Sequence, residues 1–483
     1  MEPPLEPRDA YSPHLRTALV LAGTGTAGAY QAGVLRAFHE AGVKVDVVAG
    51  RGMGAASVLF DAVDGAALLW EDQGIWKGRA VRRLYRWRPA LRASGWAVVA
   101  ALAVVIAPVA LLAAGILVYP LAFLLGVIGV ESGSGLARAY VGVLARSFEP
   151  GFLPDVLPRA LVLSLTALVA VLAVIGAGVL VSARRSRRHR TAQWWRVIGA
   201  PFESSAAVRL IVSGLWRLLG GVAGGRLPSP VEFSRAYTEM LGDNLGQPAF
   251  REIVIVVHDV DLRRDLVFAL MAERYRRDFF RRRPGTGTDR RASEVFDLSG
   301  VGRDHLFDAL AAALCLPVAT EAHPVQFAPE SHWRGEAHRL VDRPGATARL
   351  LDELAVAGVE QVIVVSAVSE VDGPHGLATE RGDPRGRIGE YLAGTEAAGV
   401  RDAVAAAMGA FKCVFHIRPG HNPLGPLDFE GCHDERSDRT LTLAELVNRG
   451  YEDAYRAFID PIVGAGGERI EAAGVRSPVV RPS

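Results

Sequence analysis

Two glycine-rich turns near the start of the chain are the first features of the sequence that could do chemistry. The first, Gly23-Thr24-Gly25-Thr26-Ala27-Gly28, follows a short apolar run and has the spacing Gly-x-Gly-x-x-Gly. The second is Gly50-Arg51-Gly52-Met53-Gly54, which follows another apolar run. Backbone amides in such a turn, with the N-terminus of the next helix, can bind an anionic or carbonyl group. The glycines of the first turn could instead serve only tight turning and close helix packing.

Patterns of apolar residues indicate the elements that position these turns. Residues 17–22 form a short run that is apolar apart from Thr17, and such a run predicts a buried strand. Residues 29–40 have apolar positions at helical spacing, which predicts a helix. Residues 43–49 predict a second strand, again followed by a helix. Strand, glycine turn and helix, twice over, are typical of a mostly parallel α/β sheet. Later in the chain the pattern predicts strands at 253–257 and 361–366, and helices near 306–314 and 443–459.

The first turn also fits a dinucleotide site, so a nucleotide-binding membrane regulator is one hypothesis. Such a site needs an acidic residue at the end of the second strand, about 20 residues after the turn. Glu40 lies too early, inside the predicted helix, and Asp46 lies within the predicted strand. Nucleotide binding therefore stays an alternative.

The apolar residues that raise the mean hydropathy to +0.20 are concentrated in two runs. Residues 95–130 contain no charged residue, and residues 160–182 form the second run. A spanning helix needs about 20 residues, so the second run predicts one span. The first run could be a span with an interfacial piece, or a tight hairpin broken at Pro108, Gly115 or Pro120. The crossings must be even in number if the flanking segments build one domain, so we expect spans near 96–118 and 160–182.

Positive charge is concentrated outside these two runs. The flanking arginines are Arg79, Arg82, Arg83, Arg86, Arg88 and Arg92 before the first run, and Arg184, Arg185, Arg187, Arg188 and Arg190 after the second. The positive-inside rule then places both flanks in the cytoplasm. We expect an integral protein of the inner or plasma membrane whose arginines attract anionic lipid headgroups. Two buried helices in a large soluble core are the alternative.

Composition excludes several classes of protein. The chain has 54 basic and 52 acidic residues, so no global field argues for nucleic acid as a partner. Three cysteines cannot form a disulfide framework, and the N-terminus lacks the pattern of a signal peptide. The spacing of five potential ligands matches no standard zinc pattern, so we expect no metal and no cofactor. These are Cys413, His416, His421, Cys432 and His433.

The ordered combination of these features resembles the patatin-like phospholipase family, lipid acyl hydrolases with a Ser–Asp dyad. That family opens with a strand, Gly-Gly-Gly-x-x-Gly and a helix, matched here by residues 23–28, and its Gly-x-Ser-x-Gly nucleophile elbow is matched by residues 50–54. The dyad aspartate lies in a turn before an apolar strand, matched by Asp342-Arg343-Pro344. The resemblance covers about 16–70 and 227–465.

This resemblance implies a patatin-like three-layer α/β/α fold with a mostly parallel central sheet, interrupted by a two-span transmembrane helical insert. The implied organisation is a tail at 1–15, a first patatin-like part at 16–75, the insert at 76–226, a second patatin-like part at 227–465 and a tail at 466–483.

The departures from the family pattern concern the chemistry. Gly52 stands where the family has its nucleophilic serine, and glycine has no side-chain atom with which to attack. Thr24 replaces the middle glycine of the oxyanion loop, and Arg51 and Met53 flank the substituted position and could fill part of it. Loss of the nucleophile costs a serine hydrolase on the order of 10⁶ in turnover. Asp342 is retained, as a dyad base or simply as a turn aspartate.

The sequence therefore predicts a membrane-embedded, catalytically inactive patatin-like protein that binds lipid or acts as a scaffold or regulator. Its expected partners are membrane lipids, with a protein partner or a second copy of the chain as further candidates. The main alternative is an active lipid acyl hydrolase that uses Thr24 or a water as the nucleophile, with Asp342 as the base.

Overall fold

Short apolar runs form strands here because helices on either side exclude water from both faces of each strand. The computed structural model describes residues 11–129, 132–185, 199–220, 227–281, 293–329, 333, 335–369, 382–434 and 436–463. The chain forms two compact units, Met1–Arg86 with Phe202–Ser483, and Trp87–Pro201. The predicted tails up to residue 10 and at 466–483 lie outside the described residues.

The strands are β1 (Thr17–Ala22), β2 (Val47–Gly50), β3 (Arg86–Trp87), β4 (Phe202–Glu203), β5 (Glu252–Asp259), β6 (Arg264–Leu270), β7 (Glu294–Asp297), β8 (His323–Gln326), β9 (Ala337–Val341), β10 (Gln361–Ser366), β11 (Cys413–Ile417), β12 (Cys432–Asp434) and β13 (Arg439–Leu441). The α-helices are α1 (Ala27–Ala41), α2 (Met53–Asp61), α3 (Ala67–Trp70), α4 (Pro89–Ala113), α5 (Gly115–Val127), α6 (Ser132–Ser147), α7 (Leu153–Arg185), α8 (Ser205–Leu218), α9 (Pro230–Asn244), α10 (Glu273–Phe280), α11 (Leu306–Ala313), α12 (Thr347–Val356), α13 (Pro384–Ala407) and α14 (Leu443–Ala454). Short 3₁₀ helices occupy Arg79–Arg83, Arg303–His305 and Pro344–Ala346, and a π-helix occupies Tyr455–Ile459.

Within the described residues, nine strands form the central sheet of the first unit. Its main path is β11-β10-β1-β2-β5-β6-β7, while β9 pairs with β5 and β8 pairs with β9. The five strands from β11 to β5 are mutually parallel, whereas β5 and β6 are antiparallel. The prediction of a mixed α/β unit with a mostly parallel sheet is therefore confirmed.

Helices cover both faces of this sheet. On one face, Ala18 and Val20 of β1 belong to a buried cluster that includes Leu350 and Leu354 of α12. The alternating residue Leu19 is also buried, because α2 packs against β1 and α1 packs against β10. The core thus lies on both sides of β1, which leaves the loops at the strand ends as the place for a site.

Some element boundaries differ from those that the sequence predicts. The second strand begins at Val47 rather than at residue 43. Residues 373–389 are rich in glycine, proline and arginine, which predicts a loop, but α13 begins at Pro384, where the Asp383 carboxylate accepts a bond from the Gly386 amide. Residues 373–381 lie outside the described residues. The same is true of residues 282–291 in the stretch 281–291, for which glycine, proline and several arginines also predict a surface loop.

The second unit is shorter than the insert expected at 76–226. Residues 76–86 and helix α8 belong to the first unit. Trp76 is buried against Gly28, and Gly214 of α8 lies against the Phe60 ring, so both segments complete the core of that unit.

Four helices make up the described part of the second unit. Helix α4 packs along α7, and α5 packs along α6. By length and composition, Pro89–Val127 and Leu153–Val174 could each cross a membrane. The most apolar window of the first stretch is only 6% buried, and that of the second is 0% buried. These helices therefore present their apolar side chains outward instead of forming a core.

Candidate functional site

The turn between β2 and α2 has a backbone that only glycine adopts easily. Gly52 has φ +57° and ψ −135°, a conformation strained for any residue with a Cβ. A Cβ at Gly52 would lie 2.4 Å from the Gly23 carbonyl oxygen and 3.0 Å from Asp342 Oδ2. Folding thus brings together both glycine turns and the aspartate.

Arg51 fills the space in front of this aspartate. Its Nη1 donates to Asp342 Oδ1 and Oδ2 at 3.1 and 2.9 Å. Its Nε donates to Thr347 Oγ1 at 3.3 Å, and its Nη2 lies 3.1 Å from Glu396 Oε2. The side chains of Arg51 and Asp342 are completely buried, and that of Glu396 is 1% exposed. The result is a buried triad of one cation and two carboxylates, here called the Arg51 triad.

Burial and charge act in opposite directions within the Arg51 triad. Burial alone would lower the pKa of the Arg51 guanidinium, but the charges of Asp342 and Glu396 outweigh it and raise that pKa. Burial raises the pKa of Glu396, and the nearby Asp342 charge adds to the effect, while Arg51 opposes it. The guanidinium therefore stays charged, and Glu396 is displaced toward its neutral form.

The amide that follows Gly52 already has a partner. Met53 N–H donates to the Gly23 carbonyl oxygen at 2.8 Å. In acyl-transfer sites built on such a turn, the amide after the nucleophile stabilises the oxyanion. Here that amide already donates to the Gly23 carbonyl oxygen, so it is not available to an oxyanion. The carbonyl oxygen itself carries a negative partial charge, which is unfavourable next to an anion.

The first turn packs closely against its surroundings. Thr24 Oγ1 donates to Asp342 Oδ2 at 3.3 Å, and Thr24 is 1% exposed. A Cβ at Gly25 would lie 1.8 Å from the Pro426 carbonyl oxygen, which accepts a bond from Thr26 N–H at 3.0 Å. A Cβ at Gly28 would lie 2.2 Å from the Trp76 ring. These distances show that both glycines permit close packing.

A cavity of about 220 Å³ lies beside this turn. Its walls include Thr24 and Thr26 after β1, residues 367–369 after β10, and Glu390 and Glu396 of α13. The strand order reverses between β1 and β10, because the chain continues from β1 to β2 on one side and from β10 to β11 on the other. Ligands of parallel α/β sheets bind in such a crevice at the carboxyl ends of the strands. The volume is below the roughly 300 Å³ of sites for drug-sized ligands, so it suits a small molecule.

Two members of this site give no signal in the sequence. Glu396 lies in a run of small residues, and Thr347 lies at the start of α12. Both reach Arg51 only through tertiary packing.

The potential metal ligands of the sequence do not assemble, since no group of three or more such side chains occurs among the described residues. His421 Nε2 instead lies 3.0 Å from Asp434 Oδ1.

Comparisons with known proteins add little to this geometry. No protein-family model and no curated protein matches the chain. Among solved structures, the chain resembles VipD from Legionella pneumophila, with a TM-score of 0.29 and 12% identity, over 92% of this chain and 67% of that chain. This is a weak similarity of fold, on which no argument about activity rests.

Proposed function

We propose that this chain is a membrane-attached, patatin-like protein that has lost acyl hydrolysis and whose α/β unit binds a small ligand beside the former active site. The observation that carries the proposal is the pair formed by Arg51 and Asp342 next to Gly52, which has no side chain. The patatin-like assignment rests on the order and spacing of the two glycine turns and the aspartate turn.

The turn at residue 52 holds no nucleophile. Gly52 offers none, and the next serine along the chain, Ser57, donates its hydroxyl to Gln31 Oε1 at 2.9 Å. Ser57 is buried on α2, so it cannot replace a serine at the turn.

Asp342 is not free to act as a base. A dyad aspartate must accept a proton from the attacking hydroxyl. Asp342 instead receives two hydrogen bonds from a guanidinium that neutralises its charge. With the Met53 amide also occupied, the three requirements of acyl transfer (nucleophile, base and oxyanion donor) are each compromised.

Thr24 supports a second candidate function. Its hydroxyl donates to Asp342 Oδ2 at 3.3 Å, so an acyl hydrolase with a threonine nucleophile has the right pair of atoms. Thr24 lines the cavity but is only 1% exposed, and Asp342 is fully buried outside the lining, so a substrate carbonyl reaches this pair of atoms only after rearrangement.

The test of lost hydrolysis uses the full chain purified in mild detergent. We expect no labelling by a fluorophosphonate and no hydrolysis of phospholipids or monoacylglycerols, with an active serine hydrolase as the reagent control. The isosteric variants Thr24→Val and Asp342→Asn decide the matter if turnover is seen. Turnover that both variants abolish would establish the threonine enzyme, whereas turnover that neither affects marks a contaminant.

The test of ligand binding compares two substitutions on α13. Ala393 lines the cavity, and Ala398 is exposed on the same helix outside the lining. We expect native mass spectrometry to find a small molecule on the full chain and on Ala398→Phe but not on Ala393→Phe. Equal binding by both variants would place the ligand elsewhere, and no bound molecule in any sample would leave the unit as a scaffold.

Membrane attachment is the remaining part of the proposal. It is supported by the outward-facing apolar helices α4 and α7 and by the arginines that flank them in the sequence. The positive-inside rule favours a cytoplasmic α/β unit at the inner or plasma membrane. Membrane lipids are then its first partners, and anionic headgroups are attracted to the flanking arginines.

A further inference from the structure

One carboxylate oxygen of the Arg51 triad lacks a donor. Glu396 Oε2 lies 3.1 Å from Arg51 Nη2, whereas Glu396 Oε1 is buried and accepts no hydrogen bond from the described residues. The neighbouring Thr24 hydroxyl donates to Asp342 Oδ2 instead, at 3.3 Å. A carboxylate has about four lone-pair sites, and a buried acceptor without a partner is costly. Glu396 Oε1 therefore lacks a donor that the described part of the chain does not supply.

The Arg51 triad also has one cation for two carboxylates. Arg51 Nη1 donates to both oxygens of Asp342, so most of the guanidinium contact goes to that carboxylate. If Glu396 is ionised as well, one negative charge remains uncompensated among fully or almost fully buried side chains. Burial and the Asp342 charge accordingly raise the pKa of Glu396. A second positive charge beside Glu396 would balance the triad.

The cavity of about 220 Å³ beside the first glycine turn has Glu396 in its wall. Glu390, six residues earlier on α13, also lines this cavity and is exposed. Much of the remaining wall is apolar, including Ala27, Val368 and Leu424. An apolar wall with a few polar groups is typical of a site for an organic molecule. The donor set does not suit a metal ion, because the described residues contain no group of three or more potential ligands.

The missing donor and the missing charge together define the chemistry of a ligand. A primary ammonium group has a positive charge and three N–H donors. A hydroxyl has a donor without the charge, and a quaternary ammonium has the charge without a donor. A carboxylate or phosphate would be repelled by Glu390 and Glu396. Only the primary ammonium group among these supplies both.

We propose that the ligand of this cavity is a small organic compound with a primary ammonium group, which donates to Glu396 Oε1 while its apolar body contacts the cavity wall. Because Oε1 is closed to water, the Glu396 carboxylate turns toward the cavity when the ammonium binds. The exposed Glu390 attracts the cation as it approaches. This inference rests on the proposed binding of a small molecule in this cavity.

The test compares probes of similar size on the full chain in mild detergent, with dissociation constants measured by calorimetry. The probes n-butylammonium, 1-butanol and butyrate share a chain length and differ in charge. We expect n-butylammonium to bind and the other two to bind at least about tenfold more weakly, because they lose the charged hydrogen bond. Equal binding of 1-butanol would overturn the need for charge, and tighter binding of butyrate would overturn its sign. Equal binding of tetramethylammonium, which has no N–H, would overturn the hydrogen bond.

Three variants locate the binding of n-butylammonium. Glu396→Gln keeps the shape but removes the charge, so it should weaken binding at least about tenfold. Ala393→Phe fills the cavity and leaves the Arg51 triad unchanged, so it should abolish binding even if Glu396→Gln fails to fold. Ala398→Phe, exposed on the same helix, is the matched control and should bind as the unaltered chain does.

The variants also separate this inference from the proposed function. Binding that Ala393→Phe abolishes and a folded Glu396→Gln retains would overturn the ammonium contact, while the cavity would still bind a small molecule. If none of the probes binds, the inference is overturned. The proposed function then stands only if native mass spectrometry still finds another molecule that Ala393→Phe loses.

A primary ammonium group can come from a free amine or from the headgroup of phosphatidylethanolamine. The full chain is therefore reconstituted in phosphatidylcholine nanodiscs with and without phosphatidylethanolamine, and n-butylammonium binding is measured in both. Weaker binding in the presence of phosphatidylethanolamine would support the ammonium site and identify the headgroup as its occupant. Equal binding would support the site with a free amine as its ligand.

Discussion

Arg51 determines what the neighbouring carboxylates can do. A buried aspartate with no cation beside it is basic and costly to ionise, whereas one paired with a guanidinium is a stable anion with its oxygens already engaged. The side chains of Arg51 and Asp342 are fully buried and Glu396 is almost so, so water screens none of these interactions. The Arg51 triad is thus a part of the core.

Removing the Arg51 cation should destabilise the fold strongly. Arg51→Met leaves Asp342 and Glu396 buried without a counter-charge, and loss of one partner of a buried pair costs about 3–5 kcal/mol. We expect that loss in the free energy of unfolding near pH 7, measured by denaturant. The deficit should shrink in acid, because burial raises the pKa of Glu396 and its protonation removes one of the unpaired charges. Arg51→Lys, which keeps a charge but not the planar fork, should lose less, and equal losses would contradict a role for charge.

Gly52→Ser should create the pattern Gly-x-Ser-x-Gly without giving ester hydrolysis. Its Cβ would meet the Gly23 carbonyl oxygen at 2.4 Å in a backbone with φ +57°. Gly42 has φ +64° and ψ +34° with open space around it, so Gly42→Ala measures the cost of the left-handed helical region alone, about 1 kcal/mol, without the strain of ψ −135° at Gly52. We expect Gly52→Ala and Gly52→Ser to cost about 1–3 kcal/mol more in denaturant unfolding, with no ester hydrolysis. Strong hydrolysis by Gly52→Ser would show an intact site.

At the scale of elements, sequence patterns predict where strands lie, whereas they do not predict which distant elements contact one another. Strands β1 and β10 occur at the predicted residues, because the short apolar runs 18–22 and 362–365, each next to polar or glycine residues, are typical of strands buried on both faces of a parallel sheet. That Gly52 and Asp342 lie beside each other could be expected only from the resemblance in the order and spacing of the turns. The partnership of Arg51 with Glu396 could not be predicted, because it joins two elements through packing rather than through any local pattern. For the same reason, no pattern in the sequence predicts that β8 pairs with β9.

One contact between elements fixes the turn that holds Asp342. Arg343, which follows Asp342 in this turn, donates to Asp265 of β6 through Nε and Nη2 at 3.0 and 2.5 Å. Burial would raise the pKa of Asp265, but His258 and Arg343 outweigh it and lower that pKa to about 2. Arg343 therefore ties the aspartate turn to the sheet.

This contact predicts a dependence of stability on acid. Because the folded-state pKa of Asp265 is about 2 and an unfolded aspartate titrates near 3.9, its contribution is complete above about pH 4 and is lost as the pH falls toward 2. Asp265→Asn should therefore lower the free energy of unfolding by about 2 kcal/mol at pH 7 and much less at pH 2. Denaturant titrations across this range measure it, and a deficit independent of pH would contradict the assignment.

At the scale of the whole molecule, the second unit has the character of an insertion. Arg88 N–H donates to the Pro201 carbonyl oxygen at 3.0 Å, so the two ends of this unit lie side by side. Insertions with adjacent ends leave the host's core complete. The first unit has its own core on both faces of the sheet, so its stability does not require the apolar helices.

Replacing residues 87–201 by a short Gly/Ser linker should therefore give a folded, water-extractable α/β unit. We expect the shortened chain in the carbonate-soluble fraction with a single cooperative unfolding transition, and the full chain in the membrane pellet. A shortened chain that remains in the pellet yet unfolds cooperatively would mean that the α/β unit itself binds the membrane.

The pairing of β1 with β10 has a consequence for biosynthesis. Thr17 aligns with Gln361, so the central strand must wait for a partner made 344 residues later. At translation rates of about 5–20 residues per second the delay is roughly 20–70 s. Throughout that interval α4 to α7 leave the ribosome while one edge of β1 has no partner strand. A nascent chain of this design needs protection of that edge in the cell until β10 emerges.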